Sequence, residues 1–335
     1  MPDLAVSVVS WNVRDLLAAC LHSVEASAAS ADLDVEIWVV DNASHDGSAE
    51  MLAQEFPAVH LLASPANLGF AGGQNTALAA MGFRGVPVPG ASQALASSFA
   101  APQRAADDSL PRYVLILNPD TLVREGALAA LVRVMDGMPR IGVCGPRLVY
   151  GDGRFQHGAY AFPSLFQTFL EFWPINWRLT ESRLNGRYPR RLYEASEPFP
   201  IDHPLGAAML FRRRAIEETG GFDLDYHMYV EEIDWCLRVK RAGWELYCVP
   251  EAEVVHYEGQ STRQVRPEMV VALWRSRGIY FQKHWSSLFR WLVRQVIRAG
   301  MHAQIRRARG DAHLTAVEAA ARDALVEAYR RVLAM

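Results

Sequence analysis

Short apolar runs alternate with stretches of helical spacing through the first half of the chain. Residues 5–12 form a β-branched run that predicts a strand. Residues 15–26 follow with apolar positions at Leu16, Leu17, Cys20, Leu21 and Val24, the spacing of one helix face. Residues 35–40 predict a second strand that ends at Asp41-Asn42. The turn chemistry of 44–48 then caps a helix over 49–55, and 59–63 read as a third strand. Strand and helix in this alternation predict parallel βαβ units with helices on both sheet faces. Residues 67–75, Asn-Leu-Gly-Phe-Ala-Gly-Gly-Gln-Asn, open a predicted helix over 76–81. A glycine-rich turn there is either an anion cradle or a plain tight turn.

Residues 113–117, Tyr-Val-Leu-Ile-Leu, read as a buried parallel strand cut off by Asn118-Pro119-Asp120. Proline cannot extend a sheet ladder, so Asn118 and Asp120 sit at the strand's carboxyl end, where open α/β sheets bind ligands. Before this strand, residues 84–111 are rich in Ala, Ser and Pro and read as an inserted flexible loop. After it come a helix over 125–135 and a strand over 142–150 closed by Gly151-Asp152-Gly153. The aromatic and proline-rich stretch 155–200 reads as a cover over the active-site side. Residues 206–212 and 243–250 predict two more strands, with a helix over 215–219 ended by Gly220-Gly221.

The segment 229–238 is helical in spacing. At about 100° per residue, Ile233, Cys236 and Leu237 share one face while Glu231, Asp234 and Arg238 fall opposite. Asp234 and Arg238, four residues apart, read as a structural ion pair. No oppositely charged residue lies three or four positions from Glu232, which is the first candidate acid or base.

Composition narrows the classes. The chain of 335 residues has a net charge of −3, which argues against a general nucleic-acid binder. Four cysteines without C-x-x-C spacing predict reduced thiols and neither a disulfide framework nor a zinc site. The N-terminus lacks a basic n-region, so no signal peptide is expected. No run reaches the ~18 apolar residues of a membrane span. A nicotinamide-dependent oxidoreductase is disfavoured because the first βα turn, Ser10-Trp11-Asn12-Val13-Arg14, has no glycine. A nucleotidyltransferase would want a basic glycine-rich loop there. A catalytically inactive glycan- or nucleotide-binding scaffold is the reading from another class.

Several motifs come in a familiar order: Val-Val-Ser-Trp-Asn at 8–12, Val-Val-Asp-Asn-Ala-Ser-His-Asp-Gly-Ser at 39–48, the glycine-rich 67–75 and Leu-Asn-Pro-Asp at 117–120. Gly-Ala-Ala-Met-Leu-Phe-Arg-Arg follows at 206–213, then Gly-Gly-Phe-Asp at 220–223, Tyr-Val-Glu-Glu-Ile-Asp-Trp-Cys-Leu-Arg at 229–238 and His-Tyr-Glu-Gly-Gln-Ser at 256–261. Together they resemble family 2 glycosyltransferases, and within them the rhamnosyltransferase and galactofuranosyltransferase-like branch that builds bacterial surface polysaccharides. The resemblance covers roughly residues 5 to 285, apart from 84–111.

It implies a GT-A fold, an α/β architecture with a central, mostly parallel sheet flanked by helices. The catalytic domain would span 1–265 and a C-terminal helical extension 266–335. The implied reaction is inverting transfer of a sugar, rhamnose or a related one, from a UDP- or dTDP-sugar to a hydroxyl of a glycan or lipid-linked acceptor. A divalent cation, Mn²⁺ or Mg²⁺, would neutralise the diphosphate leaving group. Asp120 and His256 match the metal positions, and Asn118, in place of the first acid of the usual Asp-x-Asp, would touch the donor or a metal-bound water. Glu232 matches the catalytic base, a position where the family usually carries Asp, and Glu231 is the alternative. Ser10, Asn12 and Asp41 would hold the nucleoside, and Asn67, Gly72 and Asn75 the nucleotide-sugar side. Gly206, Ala207, Glu231 and Trp235 would line the acceptor side.

Beyond the motifs, Trp285, Phe289, Leu292 and Val296 mark an apolar helical stripe beside basic Arg290, Arg294 and Arg298. No acidic residue lies between 285 and 309. A cytoplasmic protein is expected, and this pattern is either a helix packed on the domain or one lying on an anionic membrane, which would add a peripheral place on the inner face of the plasma membrane. Residues 314–333 predict a further amphipathic helix suited to packing or self-association.

Overall fold

The computed structural model describes residues 2–90, 93–94, 110–258, 266–309 and 316–335. Most of the predicted inserted loop, and the end of the His256 motif from residue 259, lie outside the described residues. The strands are β1 (Leu4–Ser10), β2 (Val35–Asp41), β3 (His60–Ala63), β4 (Tyr113–Leu117), β5 (Thr121–Val123) and β6 (Ile141–Val149). They continue with β7 (Phe155–Gln156), β8 (Ala159–Tyr160), β9 (Phe199–Pro200), β10 (His203–Pro204), β11 (Ala208–Arg212) and β12 (Glu245–His256). Among the described residues they form a ten-stranded sheet ordered β3-β2-β1-β4-β11-β6-β12-β5, with β7 on β6 and β9 on β12, while β8 pairs with β10.

The first four strands in that order are parallel, as the βαβ alternation predicts. Ser10 stands opposite Asp41, and Val8 opposite Leu117, so Ser10, Asp41 and Asn118 emerge at the same carboxyl edge. β11 then enters antiparallel to both β4 and β6. The buried faces of β1, β2, β4 and β6 pack on the helices Arg14–Ala31 and Ala127–Gly137 in one core that includes Leu4, Val6, Leu17, Leu21, Leu115 and Leu131.

Two element boundaries differ from expectation for physical reasons. The third helix starts at Gly69 and runs to Met81, so the glycine-rich segment is its first two turns. A Cβ on Gly73 would come within 2.8 Å of Val9, and one on Gly72 within 2.9 Å of Pro89, so the missing side chains let this helix sit close. Tertiary packing overrides the poor helix propensity of glycine here. The last strand runs past Pro250 to His256. The register against β6 slips between Val249 and Glu253, a bulge that absorbs the proline.

Compact units follow space and not only sequence. One comprises residues 1–160, 190–227 and 231–261, and carries the sheet; the other comprises 161–189, 228–230 and 262–335. The second unit thus takes in most of the aromatic stretch expected to act as a cover. Its core joins Phe172, Val271, Trp274, Met301, Ala328 and Val332. A Cβ on Gly300 would lie 2.2 Å from the Phe172 ring, so only glycine lets the helices Leu165–Phe172 and Ser287–Arg309 meet at this point. Arg277 binds the Glu171 carboxylate with two nitrogens and lies over the Trp274 ring at 4.8 Å.

Candidate active site

The loop between β4 and β5 is tied down on several sides. The Asn118 amide donates to Ala207 O (2.9 Å), and Thr121 Oγ1 donates back to Asn118 O (2.7 Å). β5 pairs with the end of β12, His256 opposite Thr121, and the Tyr257 amide donates to Asp120 O (3.0 Å). This pairing brings the Asp120 carboxylate to 3.6 Å from His256 Nε2, with both residues buried. Burial pushes the His256 pKa below its ordinary value, against the opposing pull of Asp120 and Glu258. Burial thus favours the neutral ring, the form with a lone pair to offer.

Gln156, on β7, completes this cluster and was not singled out from the sequence. Its amide nitrogen lies 3.2 Å from His256 Nδ1 and 3.5 Å from Glu258 Oε2. Its oxygen is buried without a hydrogen-bond partner among the described residues. The only sequence signal was the turn Gly151-Asp152-Gly153, which folds β7 back onto β6.

Asp120 and His256 fit a divalent cation as two ligands, one anionic oxygen and one neutral imidazole. Among the described residues, no group of three or more His, Cys, Asp or Glu could hold an ion by itself.

At the ends of β1 and β2, Ser10 Oγ and Asp41 Oδ1 are buried and lack partners among the described residues. Asp41 uses its other oxygen to accept from the Ser44 amide (3.2 Å). Unpaired buried acceptors and hydroxyls are costly, and at a strand end they mark where a ligand can pair with them. Asn12 is spent differently: its Oδ1 accepts from the His45 amide (2.8 Å), and its own amide donates to Ser44 Oγ (3.0 Å), joining the two loops. Asn67 accepts from the Gly69 amide (2.9 Å) and so starts the third helix.

Three expected ligand contacts are corrected. Asn75 is wholly buried; its Nδ2 donates to Pro87 O and Phe222 O (both 2.7 Å), and its Oδ1 accepts from the Phe222 amide (2.8 Å). It is a backbone staple with its polar capacity filled. Gly72 packs against Pro89 and presents no open cradle. Trp235, expected to offer a flat ring to a sugar, is 0% exposed. It stacks on Phe211 (centroids 4.0 Å) and meets Phe222 edge-on (4.6 Å), with Nε1 donating to Thr219 Oγ1 (2.9 Å).

The same helix, Glu231–Arg241, turns its Asp234 side inward, contrary to the expected apolar face. Asp234 accepts from Tyr226 Oη (3.2 Å) and Arg238 Nε (2.8 Å), and Arg238 also donates to Thr219 O and Gly221 O. The predicted Asp234–Arg238 pair is real, but it is buried at the carboxylate end. Two residues with left-handed backbone precede the helix, Tyr229 (φ 68°) and Val230 (φ 71°), a conformation that costs roughly 1–2 kcal/mol per non-glycine residue.

Glu231 and Glu232 have unlike surroundings. Glu231 is buried, and one carboxylate oxygen has no partner among the described residues. Burial first, then repulsion from Glu232, raises its pKa well above the carboxylate range. Glu232 is half-buried and lies against Gly206, where a Cβ would be 3.4 Å from its Cγ. Ala207, next in the chain, holds Asn118. The Gly206-Ala207 turn therefore touches the strand tip on one side and Glu232 on the other.

The raised pKa of Glu231 sets a sign. Its favourable neutral form is fully present below the unfolded carboxyl pKa of about 4.3, and that contribution is lost as pH rises toward the folded value. Glu231→Gln, which cannot ionise, is expected to melt above the parent protein near pH 8, with the gap closing near pH 4. Thermal melts across that range check it; a gap independent of pH would contradict a raised Glu231 pKa.

A family model described as Glycosyltransferase like family 2 matches residues 2–274. The chain belongs to that family. An N-acetylglucosaminyl-diphospho-decaprenol L-rhamnosyltransferase of Mycobacterium tuberculosis is 31% identical over 284 residues, 81% of this chain and 84% of that one. Rhamnosyltransferase WbbL of Escherichia coli is 27% identical over 196 residues, 58% of this chain and 65% of its own. Among solved structures, a mannosyltransferase from Pyrobaculum calidifontis in complex with GDP-Man and Mn²⁺ superposes with a TM-score of 0.55 at 16% identity. That match covers 99% of this chain and 85% of the other. The glycosyltransferase has the GT-A fold that its motif order implied.

Proposed function

We propose that this glycosyltransferase is an inverting, metal-dependent enzyme that moves a sugar from a UDP- or dTDP-sugar to a hydroxyl of a glycan or lipid-linked acceptor in surface polysaccharide synthesis. The observation that carries the reading is the juxtaposition of Asp120 and His256 at 3.6 Å on the ligand-binding edge of the sheet. The Mycobacterium tuberculosis relative is named for a diphospho-decaprenol acceptor, and the Pyrobaculum calidifontis enzyme holds Mn²⁺ with its nucleotide sugar. Both are consistent with this reading. Asp120 and His256 would hold a cation, which would supply positive charge to a diphosphate leaving group. The reaction is one displacement. Glu232 takes the acceptor proton as the hydroxyl oxygen bonds to the sugar's anomeric carbon, and the bond from that carbon to the diphosphate breaks. Ser10 and Asp41, with polar atoms at the β1 and β2 ends that have no partner among the described residues, are the nucleoside contacts.

Gln156 orients His256 in this scheme. Its amide can present either a donor or an acceptor to Nδ1, and acceptor use fixes the tautomer whose Nε2 lone pair faces Asp120. Gln156→Leu is expected to weaken Mn²⁺ affinity about 10–100-fold, with nucleotide affinity in metal-free buffer unchanged. Calorimetric titration of Mn²⁺ in the presence of UDP reads both, and an unaltered Mn²⁺ affinity would remove Gln156 from the site.

The function is tested by titrating UDP and dTDP with and without Mn²⁺, then assaying a panel of nucleotide sugars for donor hydrolysis. Nucleotide binding that ignores the cation would overturn the metal-dependent reading. Binding without turnover of any donor would favour a scaffold.

A further inference from the structure

The predicted stripe on the helix Ser287–Arg309 divides in the fold. Val296 packs inward with the Phe172–Trp274–Met301 cluster, and Phe289 is held between Trp285 (centroids 4.3 Å) and Phe281 (5.7 Å). A different set faces out. Leu288 is 69% exposed and Trp291 58%, with Leu292 and Trp285 both at 36%. At about 100° per residue, Leu288, Trp291, Leu292, His302 and Arg306 fall within about 100° of arc, with Arg298 just beside it. The outer face is thus apolar and aromatic in its first turns and cationic further on.

Large apolar side chains grouped on one exposed helix face signal a surface that is covered in use. The charge pattern says by what. From Trp285 to Arg309 the chain carries Arg290, Arg294, Arg298, Arg306, Arg307 and Arg309 and no Asp or Glu. A second copy would set this cationic face against itself, and an ordinary protein partner gives no reason for an all-cationic helix. An anionic bilayer satisfies both halves. Tryptophan and leucine enter the headgroup boundary, while arginines stay at phosphate level. No helix among the described residues is long and apolar enough to cross a membrane, so such a contact would be peripheral.

We propose that the outer face of the helix Ser287–Arg309 docks the enzyme on an anionic membrane surface through Leu288, Trp291 and Leu292, with Arg298 and Arg306 reading lipid charge. The inference does not depend on the metal or base assignments.

Co-sedimentation of the full chain tests it, using vesicles of phosphatidylcholine alone and vesicles with roughly one-third phosphatidylglycerol. The protein should sediment with the anionic vesicles only, and less so as salt rises. Leu288→Ser with Trp291→Ser, and separately Arg298→Glu with Arg306→Glu, should each weaken partitioning about tenfold or more, with donor hydrolysis in solution unchanged. Arg140→Glu, at an exposed position in the sheet unit, serves as the control and should bind like the parent. Should a paired variant misfold, a dye on Leu288→Cys still reports on a folded chain through its blue shift on anionic vesicles. Equal binding to neutral vesicles, loss of binding in the control, or a concentration-dependent dimer that hides the dye without lipid would each overturn the proposal.

Discussion

Glu232→Gln is expected to lower the rate of sugar transfer by about 10²–10⁴-fold while leaving donor affinity in place, the loss typical of removing one positioned general base. A base must be ionised at working pH and reachable by the acceptor. Glu231 is the poorer fit to the first condition, because burial and then its neighbour's charge raise its pKa well above the carboxylate range. Glu232 keeps contact with solvent and borders Gly206, the smallest residue available to leave room for a sugar. Glu232→Asp, the residue usual in the family here, is expected to retain measurable transfer. Single-turnover transfer rates beside donor titrations separate chemistry from binding, and full activity in the Gln variant would transfer the base role to Glu231.

Asp120→Ala is expected to cut Mn²⁺-dependent donor affinity by about 100-fold, roughly 3 kcal/mol. The carboxylate is the charged member of the pair with His256, and Asn118 supplies only an amide in place of a second acid. Its backbone carbonyl already accepts from Tyr257, so the side chain can be removed without undoing the β5–β12 join. Calorimetry with and without Mn²⁺ is the measurement. Unchanged cation dependence would show that Asp120 is not a ligand.

The strand ends were legible because β-branched runs stop at residues that cannot continue a ladder: Asp41-Asn42, and Asn118 before Pro119. Resemblance then gave the order of motifs and the fold. What stayed hidden depended on partners far away in sequence. Gly69–Asn75 looks like a turn by propensity, yet the close approach of Val9 and Pro89 makes it helix. Asp234 looks solvent-facing by charge, but Tyr226 and Arg238 satisfy it inside. Trp235 looks like a sugar platform until Phe211 and Phe222 cover both ring face and edge. Gln156 carries no signal of its own, because its meaning lies in His256, one hundred residues on.

The pairing of β5 with β12 also bears on how the chain matures. Asp120 and His256 are 136 residues apart (256 − 120), and their meeting rests on a three-residue register, Val254–Val123 to His256–Thr121. Contacts of such separation repay their loop-closure entropy late, after βαβ units formed by near neighbours. A growing or refolding chain can therefore complete β1 to β4 with its nucleoside-side strand ends in place and still lack the Asp120–His256 pair. On the proposed metal site, competence to hold a cation at that pair would mark the moment the last strand has zipped and so report completed folding.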